Sequence, residues 1–369
     1  MTPELAVKES RIILHPLIES HEHLQPPPSY EVLSGAENFL TDLETEIKGA
    51  QSSVDLQFYV FEGDTVGHRV GNAIRNASQR GLPARLAVDH FIDLSHSDHY
   101  IRAPRLDRDL QRGIHEELKM TQELFQSLRR EGAQVKMLKP FGLLFHRALF
   151  RDHKKMAVID GNDPQNAVAY LGGFNICDHE YPWNTFMVKM RGEMVGLLQD
   201  EFNDSWNGTS EGKRRDYEGG YLLTDANGDS LITPDAKQLI ANATDKVILE
   251  SPYVWGKGIY TVLSQAALRD VDVSVVIPTH NNKRIFIPTD RIVRSLTKNG
   301  VNVYRYQENA GMTHTKALIA DDTVSFGSSN FNELTAGRVA EANIVSQDPQ
   351  LVSQIDRVLT RDISNSLKV

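Results

Sequence analysis

The pattern His-x-Lys, followed by four mostly apolar residues and an Asp, occurs twice in this chain. The first copy is His153-Lys154-Lys155-Met156-Ala157-Val158-Ile159-Asp160. The second is His314-Thr315-Lys316-Ala317-Leu318-Ile319-Ala320-Asp321. Each copy closes a stretch of the same design. In the first stretch the apolar spacing predicts helices over 36–49, 66–80 and 116–131, and strands over 54–60, 84–88 and 133–138. In the second it predicts helices over 235–245, 259–269 and 289–299, and strands over 247–254, 271–277 and 301–306. Both stretches place a Gly, Gly132 or Gly300, between the third helix and its strand. Alternating helices and strands predict an α/β fold with mixed, largely parallel sheets flanked by helices. Repetition of the whole series predicts two tandem units packed about a pseudo-twofold axis. The expected divisions are an N-terminal arm over 1–29, ending in Pro26-Pro27-Pro28, a first unit over 30–215 and a second over 216–369. The Gly-, Asp-, Asn- and Thr-rich stretch 207–233 marks the break between units.

Composition narrows the partners. The chain has 369 residues, a formal charge of −9 and one cysteine, Cys177. The negative balance tilts against nucleic acid, whose partners usually present a basic face. A single cysteine leaves no disulfide framework and no thiolate zinc site within one chain, and a reducing compartment is the natural setting. The start, Met1-Thr2-Pro3-Glu4, has no basic leader with a long apolar core, and no run approaches the ~18 apolar residues of a membrane span. The expected location is cytoplasmic, peripheral to a membrane.

In a strand, residues two apart share a face, so each motif's His and Lys are expected to point together while the apolar run anchors them. A second strand follows each motif and ends in small residues and an Asn: Gly172-Gly173-Phe174-Asn175 and Gly327-Ser328-Ser329-Asn330. Small residues let backbone approach an anion, and Asn175 and Asn330 can donate to phosphate oxygens. From His to Asn the first copy is six residues longer, an excess that fits an enlarged turn at 161–166. This set suits phosphodiester chemistry. One neutral imidazole attacks phosphorus while a protonated one opposite donates to the leaving oxygen. Lys155 and Lys316 supply positive charge, so neither a metal nor a cofactor is expected.

At these residues the chain resembles the phospholipase D superfamily and, within it, the bacterial cardiolipin synthases. The resemblance runs from about Val32 to about Val345. It includes Phe58-Tyr59-Val60-Phe61-Glu62-Gly63-Asp64 with Gly67, Arg80-Gly81, Phe202, Trp206 and Ser251-Pro252-Tyr253-Val254. It implies a phosphatidyltransferase working through a phosphohistidine. His153 would be the nucleophile and His314 the general acid, with Lys155, Lys316, Asn175 and Asn330 on the phosphate. Ser328 and Thr335 would be further pocket residues. Glu341 would orient His153, and Glu180 or Asp178 would do the same for His314. Asp160 and Asp321 belong to the catalytic motifs but read as structural. The implied substrates are a phosphatidylglycerol-like phospholipid and an alcohol acceptor. The alternatives are a hydrolase of phospholipids or other phosphodiesters, a nuclease of the same superfamily, and a scaffold without activity.

The chain departs from the usual pattern in places. Thr335 and Val339 stand where Ser and Asn are usual, residues 93–115 have no counterpart in the second half, and Asn175–Tyr181 is one residue longer than the usual form. Other features carry blander readings. The Asp89, His90, Asp93, His96, Asp98 and His99 cluster and the arm's His21 and His23 read as polar surface rather than metal ligands. Asp225–Asp229 reads as a turn, because Ser230 and Ala236 stand where a calcium loop needs Gly and Glu. Phe141–Arg151 and Ile285–Pro288 are apolar and dotted or flanked with basic residues. They read either as buried structure or as lips that meet an anionic bilayer.

Overall fold

A computed structural model describes residues 28–90, 108–139, 150–254, 256–279, 290–307 and 311–369. The first series runs β1 (Ser29–Ser34), α1 (Ala36–Gly49), β2 (Val54–Phe58), α2 (Thr65–Gln79), β3 (Ala84–Asp89), α3 (Arg108–Arg130) and β4 (Gln134–Leu138). It closes with β5 (Arg151–Asp152), β6 (Met156–Ile159), β7 (Val168–Gly172), β8 (Phe186–Arg191) and α4 (Glu193–Asn207). The second opens with β9 (Lys213–Tyr217), β10 (Gly220–Asp225), α5 (Ile232–Asn242), β11 (Lys246–Glu250), α6 (Lys257–Ala267), β12 (Asp272–Pro278), α7 (Asp290–Lys298) and β13 (Asn302–Tyr306). It ends with β14 (Ala317–Ala320), β15 (Thr323–Gly327), β16 (Val339–Ser346), α8 (Pro349–Ser364) and β17 (Ser366–Lys368).

The strand orders repeat. The first sheet is β1-β8-β7-β6-β2-β3-β4, and the second contains the same series as β10-β16-β15-β14-β11-β12-β13. Strands β9 and β17 extend the second sheet, and β5 joins β16. Both sheets are mixed, but not largely parallel. Apart from the two-residue β5–β16 pair, parallel strand pairing among the described residues is confined to β2-β3-β4 and to β11-β12-β13, where helices make the crossovers. Strands β6-β7-β8 and β14-β15-β16 have no helix between them and pair antiparallel. The 207–233 stretch is more than a break: it contains β9 and β10, and β10 pairs with β16 over six residues. Asp225, in that stretch, accepts from Leu231 N at 2.6 Å and Ile232 N at 3.0 Å, so it caps α5, as a turn residue does.

Among the described residues, three apolar clusters hold the layers. Helices α1 to α3 bury Phe39, Leu43, Val70, Ile74 and Leu128 against one face of the first sheet. Helices α5 to α7 do the same in the second half with Ile240, Leu263 and Val293. The inner faces of the two sheets meet with α4 and α8 in one further cluster. It includes Phe202 and Leu198 of α4, Leu351 and Ile355 of α8, and Phe186 and Phe326 from facing strands, 6.3 Å between ring centroids. Fully burying a side chain of this kind is worth roughly 1.5–3 kcal/mol, so this shared core ties the halves together.

Candidate active site

Each motif histidine is carried by one half and held by the other. His153 follows β5, which lies parallel to Val339 and Ala340 of β16, and His153 N donates to Ala340 O at 2.8 Å. His314 follows Thr313, which bridges to Asn184 just before β8, and His314 N donates to Asn184 O at 2.7 Å. The His-x-Lys triplets therefore precede strands β6 and β14 rather than lying within them. At that point the backbone has left its own sheet to bond the opposite half. Lys155 Nζ donates to His153 O at 2.7 Å, and Lys316 Nζ to His314 O at 2.7 Å. Both lysines are buried.

The two motifs converge on one carboxylate. Glu341, on β16, lies 2.9 Å from His153 Nδ1, and Ser328 Oγ donates to it. Burial pushes Glu341 up to about 7, while Lys155, the Ser328 hydroxyl, Lys316 and Lys154 pull it back down. Lysines from both motifs thus act on the residue that holds the first histidine. Around His314 the arrangement differs. Glu180 Oε2 is 3.9 Å from His314 Nδ1 and accepts from Asn175 Nδ2 at 2.8 Å. Asp178 instead accepts from Val66 N at 2.8 Å and Thr65 N at 3.2 Å in the first turn of α2. Of the two carboxylates offered by the sequence, it is Glu180 that faces His314. Aromatic rings flank both histidines. Tyr59 stands 4.7 Å from His153 between centroids, and Trp183 and Tyr253 stand 5.0 and 6.2 Å from His314.

The other expected site residues divide. Asn330 has its Oδ1 buried and accepting no hydrogen bond from the described residues. Asn175 is already engaged, its Oδ1 accepting from Val60 N at 3.1 Å. Ser328 braces Glu341. Thr335 Oγ1 donates to Asn332 O at 3.4 Å, within its own turn. Asp160 and Asp321 sit at the far ends of β6 and β14. Asp160 accepts from Gln51, Ser52 and Ser53 N at 2.8, 2.6 and 2.9 Å, and Asp321 from Thr244, Asp245 and Lys246 N at 2.9 Å each. They tie down the turns before β2 and β11 and do not reach the histidines, so they leave the catalytic set as structural groups. The small residues also have a packing cause. A Cβ on Gly327 would lie 2.1 Å from Ala342 O, and one on Gly173 would lie 2.1 Å from Thr185 Oγ1. The neighbouring strand, rather than an anion alone, demands them.

Sequence reasoning missed Tyr59, Trp183 and Tyr253 as site walls, although two of them lie in segments that carry the resemblance. It also missed Lys154, fully buried with Nζ 2.6 Å from Glu201 and 3.5 Å from Asp152. Behind His153, Gln57 Nε2 donates to Asp152 Oδ1 at 2.7 Å, and at the matching place Thr313 donates to Glu250. Asp89 accepts from Arg151 Nη1 at 3.1 Å and Asp152 N at 2.7 Å, a structural role. The remainder of its cluster from Asp93 to His99, His21 and His23, residues 141–149 of the first apolar segment and Ile285–Pro288 lie outside the described residues. A cavity of about 520 Å³ opens beside Arg151 and Asp152, with Lys136, Lys139, Phe150 and Trp206 among its walls.

Two α/β units whose His-Lys pairs meet at a shared interface define the class of phospholipase D-like proteins. The chain belongs to the family described as cardiolipin synthase, PLD-like domain, which matches residues 43–206 and 236–363. It is 26% identical over 357 residues to cardiolipin synthase 2 of Staphylococcus epidermidis, covering 89% of this chain and 66% of that protein. It is 22% identical over 383 residues to the major cardiolipin synthase of Bacillus subtilis, covering 95% of this chain and 72% of that one. The chain thus spans about two thirds of the length of these relatives. In fold it is similar to the phosphatidylserine synthase of Haemophilus influenzae, with a TM-score of 0.68 at 12% identity over 92% of this chain and 87% of that one. Among the described residues no helix is long and apolar enough to cross a membrane.

Proposed function

We propose that the chain is a phosphatidyltransferase of the cardiolipin synthase type, with units over 30–215 and 216–369 sharing one active site. The observation that carries this reading is the convergence on Glu341. It holds His153 of the first motif and is acted on by the lysines of both. His153 Nε2 attacks the phosphorus of a phospholipid, and the bond to the headgroup oxygen breaks as His314 passes that oxygen a proton. The phosphatidyl group then rests on His153. The acceptor alcohol gives its proton to His314 and attacks phosphorus, and His153 leaves. Lys155, Lys316 and Asn330 stabilise the phosphoryl oxygens as charge shifts, and Asn175 acts by setting Glu180 beside His314. The phospholipid relatives, the apolar and basic segments 141–151 and 285–288, and the net charge of −9 favour a lipid at a membrane surface over nucleic acid.

The test is to incubate the protein with labelled phosphatidylglycerol in vesicles, with and without added glycerol. A two-phosphate lipid product, reduced when glycerol competes, is the expected result. Phosphatidic acid alone would make the chain a hydrolase. Cleavage of single-stranded DNA with no lipid product would overturn the lipid assignment.

A further inference from the structure

Beside His314, on the first half, stands a group that the proposed reaction does not use. Ile176 pairs with Phe61 as a parallel bridge, with Glu62 N donating to Ile176 O at 2.9 Å and Ile176 N to Val60 O at 3.1 Å. This clamp sets Glu62 against the loop that carries Cys177 and His179. One ligand atom from each of Glu62, Cys177 and His179 lies within 4.8 Å of the others. Cys177 Sγ is 3.6 Å from His179 Nε2, and a tetrahedral zinc ion with ordinary bond lengths spaces its sulfur and nitrogen ligands by roughly 3.5 Å. Glu62 Oε2 lies 3.2 Å from the other ring nitrogen, His179 Nδ1, so only the looser 4.8 Å grouping relates it to the sulfur, and that buried oxygen accepts no hydrogen bond from the described residues. Glu62 and Cys177 are 3% and 1% exposed, whereas the His179 side chain is 18% exposed and gives the group an opening. Asp64 and Glu180 add negative charge around Cys177. A lone cysteine suggested no thiolate metal site because that count ignores the histidine and carboxylate that the fold brings beside it.

We propose that Glu62, Cys177 and His179 form an inhibitory site for a thiophilic divalent cation of the zinc class. The ion takes the Cys177 thiolate, one ring nitrogen of His179 and a Glu62 oxygen, and the thiol proton is released to solvent as the sulfur–metal bond forms. Affinity therefore rises with pH. Glu180 Oε1 is 3.8 Å from His179 Nε2, and its other oxygen faces His314. A bound dication draws on the carboxylate that His314 needs, which slows turnover. This inhibitory half rests on the function proposed above, and the binding half does not.

Cobalt(II) titrated into chelator-stripped full-length protein at pH 8 tests the binding half without any substrate. Cys177 is the chain's one cysteine, so a near-ultraviolet thiolate-to-cobalt band can come from nowhere else within it. The expected result is that band, saturating near one ion per chain and abolished by stoichiometric zinc. It should vanish in Cys177→Ser and require at least about tenfold more cobalt in His179→Ala and in Glu62→Gln, the range seen when a metal site loses one of its fixed groups. No band in the wild-type protein under excess cobalt would overturn the site, and so would unchanged titrations in both His179→Ala and Glu62→Gln. With the band in place, zinc should inhibit lipid turnover with the midpoint of its binding curve, and a chelator should restore it. Stoichiometric binding to an active enzyme without inhibition would refute the inhibitory role alone. Absence of lipid turnover even without zinc would instead count against the proposed function.

Discussion

Replacing Glu341 with Gln keeps the shape beside His153 and removes one charge. When His153 attacks phosphorus its ring becomes cationic, 2.9 Å from a Glu341 oxygen. Opposite charges about 4 Å apart are worth about 4 kcal/mol at an effective dielectric of 20, which is roughly a thousandfold in rate. The help exists only while Glu341 is ionised, and burial pushes its carboxyl up to about 7. The deficit of the variant should therefore be near ~10³ at pH 8 and shrink to ~10² at pH 6, where only about a tenth of the wild-type carboxyl is ionised. Stability should move the other way. The folded value lies above the ordinary 4.5, so the contribution of Glu341 is fully present below 4.5 and is lost as pH rises through about 7. That loss is roughly 3 kcal/mol, and Gln is exempt from it, so the variant should be at least as stable as the wild type at pH 8. Steady-state turnover of a soluble phosphodiester and thermal melts, both at pH 6 and pH 8, check the two halves. A deficit below tenfold at pH 8, or one of equal size at both pH values, would refute the reasoning.

Other outcomes follow from the same geometry. His153→Ala and His314→Ala should each lower turnover by at least ~10⁴, with the double variant no worse, and near-normal activity in either would break the one-site reading. Dialysis against a chelator should not lower turnover, because in the proposed mechanism Lys155, Lys316 and Asn330 stabilise the phosphate. A strict requirement for added zinc or magnesium would contradict this. An acid quench would hydrolyse the phosphoramidate, but an alkaline quench during turnover of phosphorus-labelled lipid should leave label in the peptide containing His153, and label confined to the His314 peptide would reverse the two roles. Lys154→Ala leaves Asp152 buried with no ion pair among the described residues and Glu201 with Arg215 alone, and should cost about 3–5 kcal/mol in a denaturant melt.

What the sequence made legible depends on range. The spacing of Phe39, Leu40, Leu43 and Ile47 places α1 at its observed bounds, and α2 falls within one residue at each end, because a helix declares its buried face locally. β1 was hidden inside an expected arm boundary: Ser29–Ser34 is an edge strand with only Tyr30 and Leu33 buried. β9 and β10 were hidden by Gly219 and Gly220, which resemble a linker but turn a hairpin. The parallel character was overestimated because helices announce crossovers, whereas the antiparallel strands β6 to β8 are joined by turns and loops. The histidines were legible through duplication. The rings beside them were not, since Trp183 approaches His314 only after the two halves dock, and no spacing along the chain encodes that contact.

The repeat also conceals how unequal the two sides of the site are. Strand register makes Thr185 the counterpart of Glu341 and Gly173 the counterpart of Ser328. The first half thus lacks the serine-braced carboxylate that the second half supplies to His153. His314 has Glu180, drawn from a loop, shared with Asn175, and 3.9 Å away. A nucleophile that must bear positive charge while bonded to phosphorus benefits from a close, fixed anion. An acid that must give its proton up benefits from a looser one, since a tight carboxylate would hold the proton back. Under the proposed mechanism this asymmetry favours His153 as nucleophile and His314 as acid: the motifs supply identical reacting groups, while Glu341, Ser328 and Glu180 differ between the two sides.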